Sequence, residues 1–266
     1  MKQNWAVVGM GYIFPRHRDA IAHIGDNLLL TCDINATKQP DFIDFNEMLE
    51  SERFEAVDNV AICTPNYLHV PMVKACLAKG KRVLCEKPLG ISVEEVESLP
   101  NDGSVFCVLQ LRKKLPKEIL IPDKVVMRMN FHRDDSYWSG WKGDITKSGG
   151  VLFNLGIHYF DYLLNILGDN YEIMWKTKVE NKNNTARAEG NLTFGNTEVS
   201  YLLSIDKSLD IERTFKIDDS TINLSDKENL SLEDLHKFVY EDFKNGKGIC
   251  PADAMRSIKL VAELKK

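Results

Sequence analysis

Two side chains suited to moving a proton stand in compact motifs of this chain: Lys87 in Glu86-Lys87-Pro88, and His158 in the run Gly156-Ile157-His158-Tyr159-Phe160-Asp161. A group that takes a proton from a hydroxyl must come within about 2.6–3.2 Å of it. An imidazole titrates near neutrality, whereas a free lysine, with a pKa of about 10.4, needs desolvation or a neighbouring cation before it can act as a base. A lysine that stays charged still polarises a hydroxyl and steadies a developing alkoxide. Asp161 follows His158 by three positions, which is the same side of a helix, and can hold the imidazole in one orientation or simply cap or pair. Asn154 cannot serve as a base, but its amide both donates to and accepts from hydroxyl groups. The plain alternatives are a solvated strand end at Lys87 and a core or capping histidine at 158.

A second group of residues suits a phosphate-bearing ligand. Gly9-Met10-Gly11 follows the apolar run Trp5-Ala6-Val7-Val8 and precedes a predicted helix, the setting in which a tight glycine turn lets backbone approach a pyrophosphate at a helix N-terminus. Tyr12 and Ile13 continue that loop. Phe14 occupies the third position of the pattern, where glycine or alanine is usual. Asp33 ends the next apolar run, about 20 residues on, where a carboxylate accepts hydrogen bonds from an adenosine ribose and repels a ribose phosphate. This points to NAD over NADP. Thr64, Pro65 and Asn66 end a third run and line the same expected cleft; His69, which starts the next helix, and Glu86 and Lys87 complete the cofactor set.

These residues need elements to position them. Strand-like runs at Trp5–Val8, Leu28–Asp33, Asn59–Cys63, Arg82–Pro88 and Val105–Leu111 alternate with helical stretches at His17–Ile24, around Phe45–Arg53, at His69–Gly80 and at Ile91–Leu99. Alternation of this kind predicts a doubly wound α/β domain with a parallel sheet over residues 1–111. Beyond Leu111 the rhythm changes to extended segments with polar turns, interrupted by a helix at Gly156–Leu167 and followed by two helices near 232–243 and 252–264. Residues 112–266 therefore read as an α+β domain with a mostly antiparallel sheet, for substrate binding and assembly, whose C-terminal helix can return to the first domain.

Composition narrows the function classes. Of 266 residues, 44% are hydrophobic and 27% charged, the make-up of an ordinary soluble protein. The balance of 34 basic to 39 acidic residues, net −5, argues against nucleic acid or an anionic membrane as a partner. The six cysteines form no CxxC pair, which fits reduced thiols in a cytoplasmic protein. The start, MKQNWAVVGMGY, lacks the layout of a signal peptide, and no apolar stretch is long enough to span a bilayer. Without HExxH or paired Cys/His spacing no metal is expected, and without GxSxG no serine hydrolase.

Taken together, the glycine loop, Thr64–His69 (TPNYLH), Cys85–Gly90 (CEKPLG) and Ser148–Asp161 (SGGVLFNLGIHYFD) resemble the Gfo/Idh/MocA oxidoreductase family over nearly the whole chain. GYIFPRH, LQLR and YWSGWKG narrow the likeness to the branch that oxidises UDP-2-acetamido-2-deoxy-D-glucuronate at its 3-hydroxyl. The resemblance implies an NAD-dependent enzyme acting on a sugar CH–OH group, in lipopolysaccharide O-antigen biosynthesis, with Lys87 and His158 as its catalytic pair. It also implies in-place reoxidation of the cofactor by 2-oxoglutarate and a homodimer or homotetramer. A uronate and a diphosphate call for cations and aromatics, which the stretch with Arg133, Tyr137, Trp138, Trp141 and Lys142 offers; the expected substrate set is Arg16, Lys87, Tyr137, Trp141, Lys142, Asn154, His158 and Asp161. The tryptophans read equally as core or subunit contacts. The stretch 112–124 is shorter than in relatives. Two other functions remain: dehydrogenation of a free sugar, inositol or polyol, and a non-catalytic NAD-binding regulator.

Overall fold

The computed structural model describes residues 2–114, 121–133, 135–181, 184–224 and 232–266, so residues 115–120 of the shortened stretch lie outside it. The chain divides into two compact units, Met1–Lys113 with Leu230–Met255, and Lys114–Asn229 with Arg256–Lys266.

In the first unit the order is β1 (Asn4–Val8), α1 (Phe14–His23), β2 (Asn27–Cys32), α2 (Phe45–Glu50), α3 (Glu52–Glu55), β3 (Asn59–Ile62), α4 (His69–Ala78), β4 (Arg82–Glu86), α5 (Val93–Glu97) and β5 (Val105–Val108). The strands form one parallel sheet in the order β2-β1-β3-β4-β5. β3 and β5 are buried along their whole length, as a strand covered on both faces must be, which is why they read as unbroken apolar runs. The apolar run that begins β5 leaves the sheet sooner than its composition suggests: from Gln110 the chain makes a 3-10 turn to Lys114, with Gln110 and Leu111 still buried. Burial continues through the turn, so hydrophobicity alone does not mark where the strand stops.

The second unit contains β6 (Lys124–Asn130), α6 (Asp135–Trp138), α7 (Ile145–Ser148), α8 (Ile157–Leu167), β7 (Tyr171–Asn181), β8 (Asn184–Phe194), β9 (Thr197–Ser204), β10 (Glu212–Ile217) and β11 (Ser220–Asn223). Its six strands run β11-β10-β6-β9-β8-β7, antiparallel except for the parallel pair β6–β9. The segment from Thr177 to Phe194 is divided between β7 and β8, which pair as a hairpin out to Asn181 and Asn184. α8 covers one face of the sheet, with Tyr162 against Phe215 at 5.0 Å and Phe160 against Tyr201 at 5.3 Å between ring centroids.

Helices α9 (Leu232–Lys244) and α10 (Pro251–Lys265) follow. α9 belongs to the first unit, where Val239, Tyr240 and Phe243 join Trp5, Ile21, Leu84 and Phe106 in one buried cluster. Trp5 lies 4.8 Å from the Tyr240 ring and 4.9 Å from Phe243, and its indole N–H donates to Asp26 at 3.1 Å. No helix among the described residues is long and apolar enough to cross a membrane.

Candidate active site

Because the five strands of the first unit are parallel, their carboxyl ends share one edge of the sheet, where open α/β sheets bind ligands. Gly9 follows β1, Asp33 follows β2, Thr64 and Pro65 follow β3, and Lys87 follows β4. The order places β1 between β2 and β3, so the chain winds in opposite directions from β1 and leaves a crevice there.

The glycine loop is shaped by contact at one glycine and by space at the other. Gly9 has φ +96°, and a Cβ built on it would stand 2.6 Å from the Cys63 carbonyl oxygen, so no larger residue fits between the ends of β1 and β3. A Cβ on Gly11 meets nothing within 4 Å. The protein's own packing therefore does not demand glycine at 11, which leaves room for a ligand. Among the described residues the amides of Gly11, Tyr12 and Ile13 make no hydrogen bond, and α1 begins with no side-chain cap and no acidic residue in its first turn. These are the features of an anion cradle. Phe14, at the atypical third position, packs against the core cluster, and the Arg16 guanidinium lies 5.4 Å from the exposed Tyr12 ring.

Asp33 braces this loop. It accepts hydrogen bonds from the Met10 amide at 2.6 Å, the Asn35 amide at 2.8 Å and the Lys38 ammonium at 2.8 Å. Burial opposes its ionisation, but those three donors outweigh it and hold the carboxyl below the usual carboxylate range. Two oxygens offer about four acceptor positions, so one remains for a ribose hydroxyl. His69 is 1% exposed and braces a second loop, its ring nitrogens lying 2.6 Å from the Pro88 carbonyl and 2.9 Å from the Thr64 carbonyl. It thereby ties the end of β3 to the loop after β4. Asn66 is buried beside it, while Thr64 and Pro65 are half-buried.

Lys87, half-buried, sits on a cis peptide to Pro88. Behind it Glu86 is held from several sides: Oε1 lies 3.0 Å from His17 Nε2 and 3.3 Å from His236 Nε2, while Oε2 accepts the Lys87 amide at 3.2 Å. His17, from α1, also meets the Tyr240 hydroxyl at 2.8 Å through Nδ1. Burial drives the His17 pKa down despite Glu86, so the ring is neutral, donates through Nε2 and accepts from Tyr240. Burial likewise works against the Glu86 charge, but its bonds to His17 and His236 hold the carboxyl well below the usual range. Glu86 is thus a fixed anion that anchors the Lys87 backbone. The three groups have the types and spacing of metal ligands, within 4.8 Å, but hydrogen bonding already accounts for that spacing. Neither His17 nor His236 stood out in the sequence; His17 carried a signal only in lying one turn into the helix after the glycine loop, and His236 carried none.

In the second unit, a π-helical turn at Leu152–Gly156 feeds directly into α8 and presents Asn154, half-buried His158 and buried Asp161 from one stretch of chain. Such turns recur at functional sites because they re-aim side chains within a helix. The Asn154 amide donates to the Tyr137 hydroxyl, and burial raises the Tyr137 pKa despite Arg133. Lys142 Nζ stands 5.0 Å from the Tyr137 ring and 5.8 Å from Trp141. Tyr137, Trp141, Lys142 and Asn154 are therefore one cluster. Trp141 and Trp138 are half-buried at its edge.

The crevice, the open amide cradle and the braced carboxylate of the first unit fit a dinucleotide: Gly9, Gly11, Tyr12 and Ile13 for the pyrophosphate, Asp33 for a ribose, and Thr64, Pro65, Asn66 and Glu86-Lys87 along the remaining edge. The comparisons agree. A family model described as the oxidoreductase family's NAD-binding Rossmann fold matches residues 3–101, and one for its C-terminal alpha/beta domain matches residues 124–243. The chain is 29% identical over 192 residues to 2,7-anhydro-N-acetylneuraminate hydratase of Escherichia coli, covering 62% of this chain and 50% of that one. It is 28% identical over 143 residues to scyllo-inositol 2-dehydrogenase (NADP(+)) of Bacillus subtilis, covering 48% and 40%. The chain thus spans about half the length, or less, of these curated relatives. Among solved structures, the WlbA (WbpB) dehydrogenase of Thermus thermophilus superposes with TM-score 0.82, at 28% identity in a complex with NAD and alpha-ketoglutarate and 27% in one with NAD and UDP-GlcNAcA. Each match covers 99% of this chain and 95% of the other. An NAD-binding Rossmann unit followed by the C-terminal alpha/beta domain, both matched, establishes that the chain belongs to the Gfo/Idh/MocA oxidoreductase family.

Proposed function

We propose that this protein oxidises a sugar CH–OH group with NAD, and that its substrate is UDP-N-acetylglucosaminuronic acid, attacked at the 3-hydroxyl. The observation that carries the reading is Lys87 on the ligand-binding edge of an NAD-binding sheet, held there by the buried Glu86, His17 and His236 set. NAD, when bound, accepts the hydride. The chain's task is the proton: the hydroxyl must lose it as the hydride departs. Lys87 and His158 are the two groups proposed to take it and to steady the developing alkoxide. Glu86 is a poor base here, since His17 and His236 hold its carboxyl well below the usual carboxylate range and both its oxygens are engaged. Asn154 positions hydroxyls, Asp161 orients the His158 imidazole, and the Tyr137, Trp141 and Lys142 cluster, with Arg16, receives the nucleotide. The likeness to the Thermus dehydrogenase supports this sugar and reoxidation of the bound cofactor by 2-oxoglutarate; a place in cell-surface polysaccharide synthesis belongs to the same proposal. Met174, Trp175 and Val179, exposed on β7, support a homo-oligomer.

The relatives that act on inositol favour a second reading, oxidation of a free polyol. Purified protein supplied with NAD and, in turn, UDP-N-acetylglucosaminuronate, UDP-N-acetylglucosamine, glucuronate and myo-inositol separates the two by NADH absorbance. Turnover confined to the first is expected. Turnover with inositol and not with either nucleotide sugar removes the proposal, and tight NADH binding with no turnover on any of the four points to a regulator.

Asp33 sets the cofactor in this reading, and Asp33→Ser tests it. A hydrogen bond to a charged group contributes about 1.5–3 kcal/mol, so the change should weaken NAD binding roughly 10- to 100-fold. It also frees the Lys38 ammonium, so NADP binding should improve. Fluorescence titration with NADH and NADPH reads the ratio; an unchanged ratio removes Asp33 from cofactor choice.

A further inference from the structure

The second unit brings two arginines, Arg133 and Arg213, against one aromatic ring, Phe131. Arg213 lies on β10 two positions before Phe215, which is fully buried against Tyr162 of α8. Alternate residues of a strand share a face, so Arg213 is turned to the helix-covered side of the sheet and not to the open side. Arg133 lies just past the end of β6. The two guanidinium carbons stand 4.9 Å and 5.4 Å from the centroid of the same ring, Phe131. Arg133 is also 5.3 Å from Tyr137, the ring that Lys142 approaches.

The Nε atoms of both arginines are buried and make no hydrogen bond, and among the described residues neither arginine pairs with a carboxylate. The one side-chain hydrogen bond of Arg133 to backbone is a long 3.4 Å contact with the His132 carbonyl. Burial, with Arg133 as a second cause, pushes the Lys142 pKa down. Crowding two guanidiniums against one aromatic ring, with no carboxylate paired to either among the described residues, is unfavourable, and it becomes favourable when a ligand brings the negative charge. Planar guanidiniums suit an oxyanion because they donate in pairs. The cluster rests on the parts that carry the candidate chemistry: Phe131 packs 5.8 Å from Tyr159, the neighbour of His158, and Tyr137 holds Asn154.

We propose that Arg133 and Arg213 form an oxyanion site that takes a charged group of the substrate, either the sugar carboxylate or the phosphate of its nucleotide. The identity of that substrate rests on the reading above; the site itself does not. Calorimetry on NAD-saturated protein with UDP-N-acetylglucosaminuronate, UDP-N-acetylglucosamine and glucuronate tests it in Arg213→Met, Arg133→Met and Arg213→Lys. A 10- to 100-fold loss for the methionine variants, partly restored by lysine, is expected. Loss confined to the two uronates assigns the carboxylate, and equal loss for both nucleotides assigns the phosphate. Unchanged affinity for all three overturns the site. Retained NAD binding and melting temperature separate loss of a contact from loss of the fold; should Arg213→Met unfold, Arg213→Gln takes its place. If the unsubstituted protein binds none of the three, the substrate reading fails and malonate and inorganic pyrophosphate become the probes. A rise in melting temperature that the double methionine variant loses supports the site, and an equal rise in both proteins overturns it.

Discussion

Lys87→Met should lower turnover by about 10²–10⁴-fold while NAD binding stays within a factor of about two, since a positioned acid or base contributes roughly that much. Methionine keeps the length of the side chain and removes its charge and its proton. The backbone at 87 should stay in place, because it is the Lys87 amide and not the ammonium that Glu86 accepts. Steady-state rates by NADH absorbance, paired with cofactor titration, read the two quantities separately. Lys87→Arg divides the two roles of the lysine: it keeps a cation beside the hydroxyl but holds its proton too tightly to act as a base. Activity near that of the unsubstituted protein in the arginine variant would assign electrostatic support to residue 87 and the base to His158. Full activity in the methionine variant would remove residue 87 from the chemistry.

Gly9→Ala should cost about 2–6 kcal/mol of folding stability. Two penalties combine: a left-handed backbone forced on a residue with a Cβ, roughly 1–3 kcal/mol, and overpacking against backbone, of similar size. The clash at 2.6 Å is with the Cys63 carbonyl, which cannot rotate away as a side-chain tip would, because the Cys63 amide is itself tied to Val8 at 2.7 Å. Against a typical net stability of 5–15 kcal/mol this is a large fraction. Urea unfolding measures it. Gly11→Ala is the contrast: its Cβ meets nothing, so stability should hold while NAD binding weakens. A Gly9→Ala protein as stable as its parent would contradict the strand-end geometry.

What could be read from the residues was local. Apolar runs located the strands of the first sheet, and the glycine loop, Asp33 and Glu86-Lys87 stood at strand ends where a parallel sheet makes them neighbours. The sequence did not reveal how far each run remains extended: Gln110 and Leu111 are as buried in a turn as they would be in a strand. Nor did it reveal partners distant in the chain. Glu86 looked like an ion-pair candidate, but its binding by His17 and His236 depends on α9 joining the first unit. Arg213 had a visible signal in the alternation Arg213-Thr214-Phe215, a charged residue in phase with an apolar one, but without Arg133 and Phe131 beside it that phase had no meaning. The π-helical turn before His158 has no signature in composition.

The first unit draws on two distant stretches of chain, with Val239, Tyr240 and Phe243 completing the cluster around Trp5 and Phe106. A ribosome adds about 5–20 residues per second, so the dinucleotide-binding half waits several seconds after its own sheet is made for the helix that closes it. Until then Trp5 and Phe106 face the translation machinery uncovered. A nascent chain stalled before residue 232 is therefore expected to engage chaperones through the sheet that this helix has yet to cover.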